Sequence, residues 1–318
     1  MPTQANQPLP DGYQLQNYRI REVLSCGGFS IVYLADDEND VPMAIKEYLP
    51  ATLALRKQGD VLPAIAAEDL AAFRYGMKCF FEEGKSLAGL SHGNIVRVLN
   101  FFRANETAYM VMRYERGRTL QEHIRRQSGG IREDYIRRVI TQLLNGLREV
   151  HTNKLLHLDI KPANIYIRND GSPVLIDFGA ARQTLTEQTT RLSPMFTPGF
   201  ASPEQYRNPG LLGPWSDIYS VGATMYSCIA AGMPPPADQR LDKDRYVQAR
   251  KQWTGKYSEQ LLQTIDWCLR LDHLRRPQSV FALQKVLLRE RDPSASLTSR
   301  TAGFRDMVQK LANWRPGR

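Results

Sequence analysis

His157-Leu-Asp-Ile-Lys-Pro-Ala-Asn164 is followed at Asp177 by Asp177-Phe-Gly179, with short apolar runs at 165–167 and 174–176 between them. Phosphoryl transfer asks little covalent chemistry of a protein. It needs metal ligands, cations on the phosphates, and a carboxylate to orient the nucleophile and take its proton. Asp159 can accept that proton, Lys161 can neutralise the transferring phosphoryl, and Asn164 offers a hard oxygen. Asp177 ends an apolar strand, where a carboxylate suits a hard cation, and Gly179 permits a sharp turn after it. Taken singly, each string has a plainer reading, as a turn or as a helix-initiating loop. In this order they predict a site for ATP with Mg²⁺ (or Mn²⁺).

Upstream, the pattern is that of strands. Segments 18–24, 31–35 and 42–47 alternate like short strands, joined by Gly27-Gly28 and by a turn-rich run from Asp36 to Asp40. The third ends in Ala44-Ile-Lys46, a strand lysine able to reach α- and β-phosphates. Residues 48–67, with Pro50, Gly59 and Pro63, read as an irregular excursion, most simply a surface loop, with a regulatory or docking element as the alternative. A helix is expected over about 69–90, then strands at 96–102 and 108–114. After Tyr114 the period becomes helical. Thr119 and Glu122 form a capping box, and Ile136, Val139, Ile140, Leu143, Leu144, Leu147 and Val150 share one helix face. The expected class is α+β: a small β-rich lobe, a larger helical lobe, and a ligand cleft between them.

These motifs resemble those of the protein kinases, and the resemblance covers roughly residues 18–290. It implies a bilobal kinase-like fold, with an N-lobe over 13–114 and a C-lobe over 115–290. His92-Gly-Asn-Ile-Val96 looks like the family's H-P-N-I-V, and counting back from it makes Glu83 the helix partner of Lys46. Ser202-Pro-Glu204 fits the close of the activation segment, and Arg276 fits the arginine that pairs with its glutamate. Trp215-Ser-Asp217-Ile-Tyr-Ser-Val-Gly222 resembles the helix start whose Asp braces the catalytic loop. The phrases around Glu47 and Arg182 look like bacterial members, the eukaryotic-like or Hanks-type serine/threonine kinases. The resemblance places Met112 at the back of the nucleotide pocket, and Arg113, Tyr114 and Glu115 at an adenine-reading hinge. It adds Val32, Ala44 and Tyr166 to the ATP-binding set. Thr197 and Lys161 mark serine/threonine specificity, and Thr184, Thr186, Thr189, Thr190 and Ser193 are candidate autophosphorylation sites.

The chain departs from the family in two places. Its glycine-rich loop is thinned to Ser25-Cys-Gly27-Gly28-Phe29-Ser30, so nucleotide binding is expected to survive, in weaker form. Leu158 replaces the arginine that docks a phosphorylated activation loop, so activity should depend less on that phosphorylation. A pseudokinase scaffold is the alternative these departures support. A small-molecule kinase is a third reading, disfavoured by Ser202-Pro-Glu204, Thr197 and Arg276.

Composition sets outer bounds. A hydrophobic fraction of 42% and a charged fraction of 24% are ordinary for a globular chain of 318 residues. The net charge of +9 is scattered, without a basic block or a nucleic-acid motif, and reads as a solvated surface. Cys26, Cys79, Cys228 and Cys268 form no C-x-x-C pair. No stretch is long and apolar enough to span a bilayer, so a cytoplasmic location is expected. Residues 1–12 read as a flexible leader and 291–318 as a basic tail containing an amphipathic stretch. The implied partners are protein substrates and, by the bacterial resemblance, a PP2C-type phosphatase.

Overall fold

The computed structural model describes residues 5–127, 129–178 and 197–288. Six strands make the small lobe: β1 Gln14–Leu15, β2 Tyr18–Cys26, β3 Ser30–Asp36, β4 Pro42–Tyr48, β5 Val98–Ala104 and β6 Thr107–Arg113. They form one antiparallel sheet in the order β1-β2-β3-β4-β6-β5. Helix α1, Leu70–Ala88, buries Phe73, Phe80 and Leu87 against one sheet face. Strand alternation then sorts β4. Tyr48 meets the rings of Phe73 and Phe80, with centroids 5.1 and 5.8 Å away, and the Lys46 ammonium lies 5.7 Å from the Phe80 ring. Glu47 points to the opposite face.

That opposite face is covered, and this corrects two expectations. The excursion after β4 is not a surface loop: Leu49, Leu53, Ala54 and Arg56 are buried. A bidentate Arg56–Glu47 ion pair, 2.7 Å at each arm, sits there with both side chains at 0% exposure. Nor are residues 5–12 a free leader. Leu9 and Asn6 are buried, and Asn6 hydrogen-bonds Leu49, Ala54 and Arg56. A polar Gln- and Pro-rich string conceals this, because its anchor is a side-chain amide reading backbone.

The larger lobe begins with β7 Gly117–Thr119 and α2 Leu120–Arg125, whose expected capping box is present. Helix α3, Glu133–Thr152, buries the apolar stripe read from the sequence. Strands β8 Ile165–Arg168 and β9 Pro173–Leu175 join β7 in a second antiparallel sheet. The short α4, Pro203–Arg207, leads to α5, Pro214–Ala230, which is buried almost throughout. A Cβ on Gly222 would lie 2.4 Å from the Cys268 Cβ, so glycine is what lets α5 approach α8, Glu259–Cys268. Helices α6 Ala237–Asp242, α7 Ala249–Gln252 and α9 Val280–Leu287 complete the described lobe.

Glu204 and Arg276 meet as expected, at 2.8 and 3.0 Å, both buried. Arg276 also donates to the carbonyls of Arg270, Leu271 and Trp215, so the charge pair is fully supported. Removing one member of such a pair strands the other, at a cost of about 3–5 kcal/mol. Arg276→Ala should therefore lower stability by about that amount in urea unfolding, and a change below about 1 kcal/mol would contradict this account.

Candidate active site

The cleft between the lobes has a volume of about 550 Å³. Ser25, Val32, Ala44 and Lys46 line its roof, Met112 its back, and Arg113, Tyr114 and Glu115 its rim. Glu83 lines it from α1, and Asn164, Tyr166 and Asp177 form the floor. Met110, two residues from Met112 on β6, also lines the cleft, as do Leu24, Val96 and Ile176. None of these four is singled out as a cleft residue from the sequence, although the two-residue period of β6 points to Met110.

Gly27 and Gly28 make the turn above the roof. Phe29, expected among the nucleotide contacts, instead packs edge-on against Tyr48 with centroids 5.2 Å apart, and it is buried. Ser30 is buried too, at the start of β3. Lys46 also differs from expectation. Among the described residues its ion pair is with Asp177, across the cleft, rather than with Glu83. Asp177 reaches it from a left-handed backbone conformation, φ 60°.

The catalytic loop is held more tightly. Asp159 Oδ2 accepts from Lys161 Nζ at 2.8 Å and from Asn164 Nδ2 at 3.0 Å. Its Oδ1 accepts from the Thr197 hydroxyl at 2.8 Å, and Lys161 donates to that same hydroxyl at 2.8 Å. Asn164 Nδ2 also donates to the Asp159 carbonyl at 2.8 Å. With its nitrogen so engaged, the Asn164 amide oxygen is the atom that could ligate a cation. Among the described residues no cluster of three or more acidic, His or Cys side chains forms a metal cage. Two oxygen donors that leave the remaining positions to phosphates suit Mg²⁺, which keeps a partly non-protein shell. The donor set therefore fits a nucleotide-borne divalent cation. The five candidate phosphosites, Thr184, Thr186, Thr189, Thr190 and Ser193, lie outside the described residues, as does Gly179.

Behind the loop, Asp217 accepts from the backbone N–H groups of His157 and Leu158 at 3.0 and 2.8 Å and contacts His151 Nε2 at 2.8 Å. Burial alone would raise its carboxyl. The His151 hydrogen bond and the neighbouring histidines overcome that and hold it low. His157 is fully buried beside the Phe178 ring. Its Nδ1 accepts from Asp159 N at 3.3 Å, and its Nε2 lies 3.1 Å from the Ile176 carbonyl, which makes it a neutral donor–acceptor bridge.

The protein kinase domain signature matches residues 18–288. The chain belongs to the protein kinase family. It is of the bacterial, eukaryotic-like type. It is 30% identical to serine/threonine-protein kinase PrkC of Bacillus subtilis over 219 residues, 68% of this chain and 31% of that protein. It is 27% identical to serine/threonine-protein kinase B of Synechocystis over 285 residues, 84% of this chain and 46% of that protein. The chain thus spans about a third to a half of the length of these relatives. The solved structure of PpkA-294 in its apo form matches with a TM-score of 0.81 and 35% identity, covering 88% of this chain and 99% of that one. Among the described residues no helix of the kinase is long and apolar enough to cross a membrane.

The neutral, buried His157 carries a pH signature. Burial depresses its folded-state pKa, against the pull of Asp217 and Asp159. The unfolded chain then binds a proton that the folded one refuses, so stability is full above the ordinary value of about 6.5 and is lost as pH falls below it. The unfolding free energy of the kinase should decline between pH 7.5 and 5.5, with a slope of up to about 1.4 kcal/mol per pH unit from this residue. A flat profile over that window would refute the assignment.

Proposed function

We propose that this kinase transfers the γ-phosphoryl of ATP to serine and threonine hydroxyls of proteins, including its own activation segment. The observation that carries the reading is the Thr197 hydroxyl, 2.8 Å from both Asp159 and Lys161. An aliphatic hydroxyl already makes, to the same carboxylate and ammonium, the bonds a substrate serine or threonine needs. Asp159 orients the incoming hydroxyl and takes its proton. Lys161 neutralises charge on the transferring group. Lys46 holds the α- and β-phosphates, helped by Glu83. Asn164 and Asp177 would hold Mg²⁺ or Mn²⁺, which supplies charge neutralisation between the phosphates when bound. The hinge residues Arg113, Tyr114 and Glu115 read adenine, with Met112 behind it.

The names of the bacterial relatives, serine/threonine kinases, support the choice of substrate hydroxyl. The four cysteines are free thiols, which supports work in the reducing cytoplasm. Protein substrates follow from this reading, and a PP2C-type phosphatase is the opposing partner the bacterial resemblance suggests.

Purified chain, radiolabelled ATP, Mg²⁺ and a generic basic protein test the proposal. Label should appear in the protein and fall by about 10²-fold or more in Asp159→Asn. Nucleotide binding without any label would favour the scaffold reading instead.

Leu158 is half-buried and cannot pair with phosphate. Replacing Thr184, Thr186, Thr189, Thr190 and Ser193 together by Ala should therefore leave activity within about tenfold of the parent. A hundredfold loss in the same assay would show that the activation segment needs its phosphates after all.

A further inference from the structure

The outer face of the small lobe carries a cap that phosphoryl transfer does not itself require: residues 6–9 and 49–64. Its centre is Arg56. The guanidinium grips Glu47 with both arms, donates to the Tyr33 hydroxyl at 2.8 Å, and reaches the Gln7 carbonyl at 2.8 Å. Tyr33 and Tyr109 donate to the same carboxylate at 2.6 and 2.7 Å. Asn6 ties the two capping segments together through Leu49, Ala54 and Arg56. A buried pair this well supported adds little net stability but fixes one arrangement, because any other leaves charge unpaired.

The cap is attached to the catalytic roof at two places. Glu47 is the neighbour of Lys46 on β4, on the opposite face. Beyond the end of the β3–β4 ladder, Leu49 N donates to Phe29 O at 3.0 Å and Ala51 N donates to Gly28 O at 2.8 Å. These bonds seize the glycine turn by its carbonyls from behind. The upper side of the turn is open, since a Cβ on Gly28 would meet nothing within 4 Å.

We infer that the cap of residues 6–9 and 49–64 is a positioning device, which holds the thinned glycine turn and Lys46 in register for the phosphates of ATP through Ala51, Leu49 and the Arg56–Glu47 pair. The inference rests on the kinase reading for its purpose. The anchoring itself can be tested without phosphoryl transfer.

Ala51→Pro in the full chain isolates the effect. The Pro50 carbonyl accepts from Leu53 N and Ala54 N at 3.0 Å, so residue 51 is the first central residue of a turn, whose backbone angle proline matches, while the ring takes the place of the N–H and pushes the Gly28 carbonyl away. The substitution deletes the donor to Gly28 and leaves Arg56–Glu47 untouched. Losing one hydrogen bond should raise the KM for ATP and the Kd of a fluorescent ATP analogue by about fivefold. The kcat should stay within about twofold, and Tm within about 2 °C, of the parent. Amide exchange should speed up at residues 26–30 and not elsewhere. Asn6→Ala should move the same quantities in the same direction. Unchanged Kd and exchange would overturn the inference, and so would a fall in Tm with faster exchange across the whole lobe. If the chain transfers no phosphate, Kd and exchange still decide the clamp, while the label assay alone decides the kinase reading.

Discussion

Asp217 has no exposed surface, and a carboxylate so placed must be met by donors or give up its charge. It is met by two consecutive backbone N–H groups of the catalytic loop and by His151. Because it stands in the first turn of α5, the most deeply buried helix described, the catalytic loop is bolted to the core of the large lobe. The remaining geometry follows from that bolt. His157 is held under Phe178, its ring steadies the Asp159 amide, and Asp159 then gathers Lys161, Asn164 and Thr197.

The same bolt explains what Leu158 does in place of a phosphate-binding arginine. Leu158 adopts φ 62°, a left-handed conformation that costs a non-glycine residue free energy. Its N–H goes to Asp217 at 2.8 Å and its carbonyl accepts from Gln205 Nε2 at 3.0 Å. Both backbone polar groups are thus fixed from opposite sides, one by α5 and one by α4. Position 158 contributes through its backbone here. The link between α4 and the catalytic loop runs through Gln205.

Much of this architecture is legible in the amino-acid sequence, because phosphoryl transfer and helix periodicity both leave marks at fixed spacing. The catalytic string and the α3 stripe are such marks, whereas the distant Glu204–Arg276 pair is reached only through the family resemblance. Strand ends differ by a residue or two, and β1 and β7, with two and three residues, are too short to show a period. Other features are hidden for physical reasons. Burial of Arg56 depends on Glu47, Tyr33 and Tyr109, each on its own strand, and no local pattern announces their meeting. Asn6 acts on backbone groups, which look alike from every residue type. Phe29 lies beside two glycines, and only the fold shows its ring turned into the core.

The Lys46–Asp177 pair is a further step that sequence order could not supply, since a lysine in such a strand can reach either of two carboxylates, Glu83 or Asp177, that line the same cleft. Lys46 brings a positive charge to a carboxylate on the floor of the cleft, and Asp177 brings a negative charge to an ammonium in its roof. Lys46 is only 5% exposed and an unpaired charge at that depth is costly, so its ammonium is kept beside a carboxylate. The pair therefore ties the roof that carries Lys46 to the floor that carries Asp177.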